Sequence, residues 1–145
     1  MQTFLPYPDF TASAQALDYR RLGKQRVEAY QILRVLEGIT KGWRNHPAVL
    51  MWKGYEPSLA EYGRIVCVEW RGRGYKDTLL PKFEELSDAS VVPPWLGDER
   101  LHLSHQSNLI RKDFEFYAPK FPAVPNNLPY HWVTKEGEQY VQVNV

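Results

Sequence analysis

The chain has 145 residues, of which 43% are hydrophobic and 14% aromatic, with a formal net charge of +1. That is one domain's length with enough apolar surface to bury a core without metals or disulfides, which excludes a disordered chain and a disulfide-stapled miniature fold. A charge this close to neutral means that any nucleic-acid face must come from local clustering of cations and not from overall basicity.

The opening Phe4-Leu5-Pro6-Tyr7-Pro8 is expected to be extended, because each proline pushes its predecessor out of the helical region, and so delivers the terminus to a fixed place. Residues 1–10 lack the charged start of a signal peptide and no run reaches membrane-spanning length, so the chain is expected to be cytoplasmic. Thr11 or Ser13 can cap a helix over 11–37, with Gly38 as its stop signal. Gly23 sits in mid-course and costs about 0.5–1 kcal/mol relative to alanine, which points to a bend or, preferably, to close approach by another group.

This first helix carries four cations and two anions between Leu17 and Glu28. At 100° per residue Leu22, Ala29, Leu33 and Leu36 share a stripe with Arg26 at its edge, while Arg20, Lys24 and Gln31 line the opposite side. Arg21, Gln25 and Glu28 form a third line at i, i+4, i+7, setting a carboxylate beside the cationic row. Such a stripe suits nucleic-acid chemistry; the plainer reading is a solvated amphipathic helix whose Arg and Lys stems cover apolar surface.

A loop over 39–47 contains Trp43, Arg44, Asn45 and His46, and is followed by expected helices over 47–52 and 57–71. Leu59, Tyr62, Val66 and Trp70 keep helical spacing in the second of these, and Gly72-Arg73-Gly74 ends it. Cys67, the only cysteine, sits among Ile65, Val66 and Val68 and reads as a buried thiol more than a nucleophile. The polar stretch 76–94 has room for a short helix over 79–86, and Trp95-Leu96-Gly97-Asp98 leads into a helix over 99–112. Beyond Tyr117 four prolines suggest an extended arm, and alternation over 130–145 around Lys135-Glu136-Gly137-Glu138 suggests a terminal β-hairpin. The fold class expected is therefore mainly α: a compact single-domain helical bundle, 1–118, with a proline-rich arm and hairpin, 119–145.

His102 and His105 lie three apart on the last long helix, with Ser104, Ser107 and Asn108 nearby. Two histidines at that spacing can bind a metal, but a zinc site needs a third protein ligand, and the chain has no HExxH, no CxxC and no carboxylate at ligand spacing. Two readings remain: hydrogen bonding to phosphates or to the loop carrying His46, or burial with backbone partners. GxSxG, Walker and GxGxxG signatures are absent, which removes the usual marks of acyl transfer, nucleotide hydrolysis and dinucleotide chemistry.

Taken in order, Tyr19-Arg20 with Leu22, Val35-Leu36-Glu37-Gly38, Thr40-Lys41-Gly42-Trp43-Arg44-Asn45-His46-Pro47, Glu69 with Arg73-Gly74-Tyr75, Lys76-Asp77-Thr78, Gly97-Asp98 with His102, and the aromatic pair Tyr130 and Trp132 carry a resemblance. Over about residues 1–133 the chain resembles the pyrimidine-dimer DNA glycosylases of the phage endonuclease V type, and more closely their bacterial relatives. The resemblance implies a mainly helical protein that kinks damaged duplex DNA, flips a base and cuts the glycosidic bond without metal or cofactor. It also implies that the chain's own α-amino group forms a Schiff base at the sugar carbon, assisted by a first-helix glutamate. An α-amine titrates at about 7.7–8.0, so a neutral fraction exists at neutral pH without the desolvation a lysine needs.

The chain departs from that pattern at two places. The glutamate that should follow the tyrosine-arginine pair is Arg21, with Asp18 and Glu28 the nearest replacements; and Met1 precedes Gln2, a side chain large enough to keep the methionine in place, leaving Thr3 a remote candidate. The catalytic candidates are thus Met1, Asp18, Arg21 and Glu28. Expected DNA contacts are Thr3, Arg20, Lys24, Gln25, Arg26, Arg44, Asn45, His46, His102, His105 and Asn108. The partner would be duplex DNA with a damaged or modified base, bound by a nucleoid-associated monomer; the alternatives are a base-modifying enzyme on the same scaffold and a non-catalytic DNA-binding protein.

Overall fold

Asp9 starts the first helix by accepting the Thr11 N–H on Oδ1 at 3.1 Å, so that α1 covers Phe10–Ala16. Neither Thr11 nor Ser13 is the cap, and the Ser13 hydroxyl instead bonds both backbone groups of Tyr7. The single helix expected over 11–37 is two helices, because Leu17 and Asp18 are extended, with ψ of 141° and 162°, before α2 begins at Tyr19–Leu36. A contact from the far end of the chain makes this break. Tyr117 Oη receives the Asp18 N–H at 2.9 Å and donates to the Asp18 carboxylate, while Leu17 is buried in the core. The gain from that capture outweighs helical propensity, which spans only about 0.7 kcal/mol per residue among ordinary residues.

The computed structural model describes residues 1–134 and 137–141. After α2, Gly38 turns the chain at φ 79°, a left-handed conformation suited to glycine. Helix α3 (Pro47–Trp52) is capped by His46 and α4 (Glu56–Gly72) has its proline at the first turn. Then come α5 (Leu80–Glu84), α6 (Glu99–Lys112), capped by Asp98, and α7 (Phe114–Tyr117), the last not anticipated from the sequence. The proline-rich stretch starts with turns closed on Tyr117 and Phe121, and the Phe121 ring, buried, stacks parallel on Tyr117. Strands β1 (Tyr130–Thr134) and β2 (Gly137–Val141) pair antiparallel, Tyr130 opposite Val141 and Thr134 opposite Gly137. Of the expected hairpin, Lys135, Glu136 and residues 142–145 lie outside the described residues. The fold is mainly α, as the periodicity predicted.

Helix α2 packs its Leu22, Ala29, Ile32 and Leu33 face on α4. Gly23 faces Trp70 of α4: a Cβ there would lie 2.8 Å from Trp70 Cη2, so close approach, not a bend, accounts for the glycine. Trp70 in turn lies under Tyr75, ring centroids 4.2 Å apart, and the Arg26 guanidinium sits 4.9 Å over its face. Arg26 also pairs with the fully enclosed Asp77 carboxylate. Burial opposes the charge on Asp77, but Arg26 and the Leu80 and Leu79 N–H groups outweigh it and hold the carboxyl below its usual range. Cys67 is buried as expected, and burial together with Asp77 pushes its thiol well above the normal range. Among the described residues no helix is long and apolar enough to cross a membrane.

Candidate active site around the chain terminus

Residues 2–5 are buried, yet they belong to no helix or sheet. Their backbone groups therefore need partners from elsewhere. Three helices supply them, and a fourth holds the Thr3 side chain. Gln25 Oε1 of α2 accepts the Phe4 N–H at 2.8 Å, and Tyr62 Oη of α4 lies 2.8 Å from the Phe4 carbonyl oxygen. On α6, His105 Nδ1 accepts the Leu5 N–H at 2.8 Å. His102 Nε2 accepts from the Gly97 N–H at 2.9 Å, so its Nδ1 carries the proton and donates it to the Leu5 carbonyl at 2.8 Å. Gln106 Nε2 donates to the Pro6 carbonyl at 2.7 Å, and the Trp52 indole of α3 donates to the Thr3 hydroxyl at 3.0 Å.

This threading delivers Met1 to the wall of a cleft of about 370 Å³ lined also by Gln2, Phe4, Arg20, Arg21, Lys24, Gln25, Glu28, Lys112 and Tyr130. The line Arg21, Gln25, Glu28 read from the sequence thus runs along one side of the cleft. Gln25 has two tasks: with Oε1 committed to Phe4, its Nε2 donates to Glu28 Oε2 at 3.1 Å and fixes that buried carboxylate. Lys24 Nζ, exposed, stands 3.8 Å from the other Glu28 oxygen. Lys112 enters from the end of α6; burial, then the neighbouring Arg21 and Lys24, pull its ammonium below the usual lysine range. Tyr130 is pushed above the usual phenol range by burial, with Arg111 opposing.

The two acid candidates are separated. Asp18 is outside the cleft lining, held by Tyr117 and by Arg21 Nη1 at 3.3 Å. Glu28 lines the cleft with Met1. A second recess, about 420 Å³, opens on the other side of Met1 between Tyr30, Arg34 and Trp43. Trp43 is 66% exposed and holds a left-handed φ of 67°. Its ring meets His46, which caps α3 by accepting the Ala48 N–H at 3.0 Å and packs edge-on to Trp132. Burial and the nearby terminal ammonium hold the His46 ring below the usual histidine range.

Several expected DNA contacts lie elsewhere. Arg20 and Lys24 are exposed at the cleft rim, and Arg44 and Asn45 are exposed on the Trp43 loop. Arg26, by contrast, is committed to Asp77 and Trp70. Thr3, His102 and His105 are buried anchors of the N-terminal segment, with no surface to offer a phosphate. Asn108 is buried too, donating to the Ser104 carbonyl at 2.8 Å and accepting from Arg111 at 2.5 Å. For these histidines the alternative of burial with backbone partners is the one observed. Sequence reasoning missed Gln2, Phe4, Lys112 and Tyr130 in the cleft; the last two lie far along the chain from α2 and carry no local signal. Among the described residues no group of three or more His, Cys, Asp or Glu could hold a metal ion.

A family model for pyrimidine dimer DNA glycosylases matches residues 1–82. The chain belongs to this family. The matched span contains the threaded terminus, α2 and α4, hence every cleft residue except Lys112 and Tyr130. Neither the curated proteins nor the solved structures gave a match.

The anchoring histidines of this glycosylase-family chain make its stability depend on pH. Burial pushes His105 down to about 3 from 6.5. The unfolded chain therefore takes up a proton near pH 6.5 that the folded one refuses until far lower, so stability is full above 6.5 and falls as the pH drops. His105 should contribute a slope of about 1.4 kcal/mol per pH unit between roughly pH 6 and 4 in denaturant titrations. His105→Asn, which can keep an acceptor for the Leu5 N–H, should remove that one-proton slope; an unchanged slope would show that His105 is not the group responsible.

Proposed function

We propose that the protein is a DNA glycosylase that excises a damaged pyrimidine from duplex DNA, with the Met1 α-amine as nucleophile and Glu28 as its proton carrier. The observation that carries this reading is the shared cleft: a chain terminus anchored by four helices and a buried carboxylate on the same wall, under a rim of Arg20, Arg21, Lys24 and Lys112. In the step we envisage, the amine lone pair bonds to the sugar C1′ as the C1′–N1 bond breaks and its electron pair leaves with the base. Glu28 takes the surplus ammonium proton and passes it to the departing pyrimidine. The attached amine, still carrying one N–H, then expels the ring oxygen, which takes a proton from solvent water, and a protonated Schiff base results. That Schiff base acidifies the neighbouring C2′ hydrogen, the chemistry that strand cleavage by elimination would use.

Glu28 suits this role better than Asp18 because its carboxylate is oriented by Gln25 and reaches the cleft, whereas Asp18 is saturated by Tyr117 and Arg21. Arg21, which stands where the family resemblance implies a glutamate, would then serve as an anion clamp. For an extruded base, the recess between Tyr30 and Trp43 offers aromatic walls beside Met1.

Borohydride trapping on a duplex with one abasic site tests the nucleophile. A covalent adduct should form with the native protein and vanish when the N-terminus is blocked; an adduct that survives blocking would move the nucleophile to Lys112. Glu28→Gln should slow base excision by roughly 10²-fold, the usual lower range for a lost proton carrier. Phosphate binding by the rim is checked separately through salt. Replacing Lys24 by alanine should reduce the slope of log K against log salt by about 0.9 if the side chain neutralises one phosphate. A slope equal to that of the native protein would remove Lys24 from the interface.

A further inference from the structure

Gln2 is 6% exposed and lines the cleft directly after the residue that carries the amine. Its amide orientation follows from hydrogen bonding. The atom 2.9 Å from the Thr3 N–H must be an acceptor, hence Oε1, which leaves Nε2 as the other atom of the carboxamide. That Nε2 is buried and no described residue accepts from it. Buried donors without a partner are uncommon in folded proteins, and each calls for an explanation. Seating the terminus uses other groups, because the Thr3 N–H and both backbone groups of Phe4 and Leu5 are met by Gln2 Oε1, Gln25, Tyr62, His102 and His105.

We propose that Gln2 Nε2 is a catalytic hydrogen-bond donor to the leaving base, donating to the carbonyl oxygen O2 of the pyrimidine that the Met1 amine displaces. The assignment rests on the glycosylase reading above. Two arguments identify the acceptor. Phosphate oxygens are served by the four cations of the cleft, whereas a neutral carboxamide in the buried wall suits a neutral carbonyl. Position selects which carbonyl: the donor belongs to the residue next to the nucleophile, and O2 is the carbonyl next to N1, the atom bonded to the carbon under attack. When the C1′–N1 bond breaks, its electron pair passes to N1 and is shared with O2, until N1 takes the proton that Glu28 removed from the amine. A donor that meets O2 therefore binds more strongly as charge develops, and this is what lowers the barrier.

The test compares two duplexes, one with a cyclobutane thymine dimer and one with a preformed abasic site, where no base has to leave. Gln2→Leu keeps enough bulk to retain the first methionine and removes the donor; Gln2→Glu keeps an oxygen for the Thr3 N–H and also removes it. Both should lower the excision rate on the dimer by roughly 100-fold, the loss typical of a missing charge-stabilising donor. Borohydride trapping on the abasic duplex should fall far less, so the ratio of the two rates drops by about tenfold or more. Equal losses on both duplexes would show that Gln2 only seats the terminus, and unchanged excision would show that it does nothing to the base; either overturns the assignment while the glycosylase reading stands. Failure of the native protein to form any adduct on either duplex would overturn the glycosylase reading itself, and the role of Gln2 with it.

Discussion

A buried chain terminus that belongs to no helix or sheet is the constraint on which the rest of this structure depends. Each buried backbone group left without a partner costs about 1–3 kcal/mol, so residues 3–6 are stable only because side chains on α2, α4 and α6 meet their backbone while α3 holds the Thr3 hydroxyl. This requirement explains polar residues that would otherwise be misplaced in the core: Gln25, His102 and His105 are 1%, 5% and 0% exposed. It also makes the helices mutually dependent, since a shift of α6 moves the hydrogen bonds of Leu5 and a shift of α2 moves those of Phe4. The segment that leads to the terminal amine is held by the same helices that form the core.

The same network sets the chemistry of the cleft. Gln25 reads the backbone with its oxygen and Glu28 with its nitrogen, so the position of the carboxylate is coupled to the position of the terminus through one amide. Swapping the ends of that amide would put a donor against the Phe4 N–H and an acceptor against a carboxylate, which leaves one orientation only. Around the acid, Arg21, Lys24 and Lys112 crowd their charges; Lys112 responds through a depressed ammonium, whereas an incoming phosphate would relieve the repulsion. The cleft is thus electrostatically arranged for an anion before any ligand arrives.

Features governed by local periodicity and end signals were legible in the sequence. The helices at 47–52 and 99–112 fall where proline, aspartate and apolar spacing put them, and the Arg21, Gln25, Glu28 line emerges from helical geometry alone. Gly23 was readable as a close-approach site, although its partner, Trp70, was not. What stayed hidden depends on contacts across the chain. The break at Leu17-Asp18 comes from Tyr117, and the duties of His102 and His105 come from Leu5, each about a hundred residues away in sequence. Spacing on a helix says that two histidines share a face, but not whether that face meets solvent or a backbone. Lys112 and Tyr130 join the cleft for the same reason, through the path of α6 and β1 past the end of α2.

Native-state hydrogen exchange at the amides of Phe4 and Leu5 reaches the central point most directly. A terminus held by Gln25 and His105 should exchange these two protons only through large-scale unfolding, with protection close to that of the α2 and α4 core. Exchange at the rate of a frayed chain end would mean that the terminus leaves its seat freely, and that the amine is not fixed in the cleft beside Glu28.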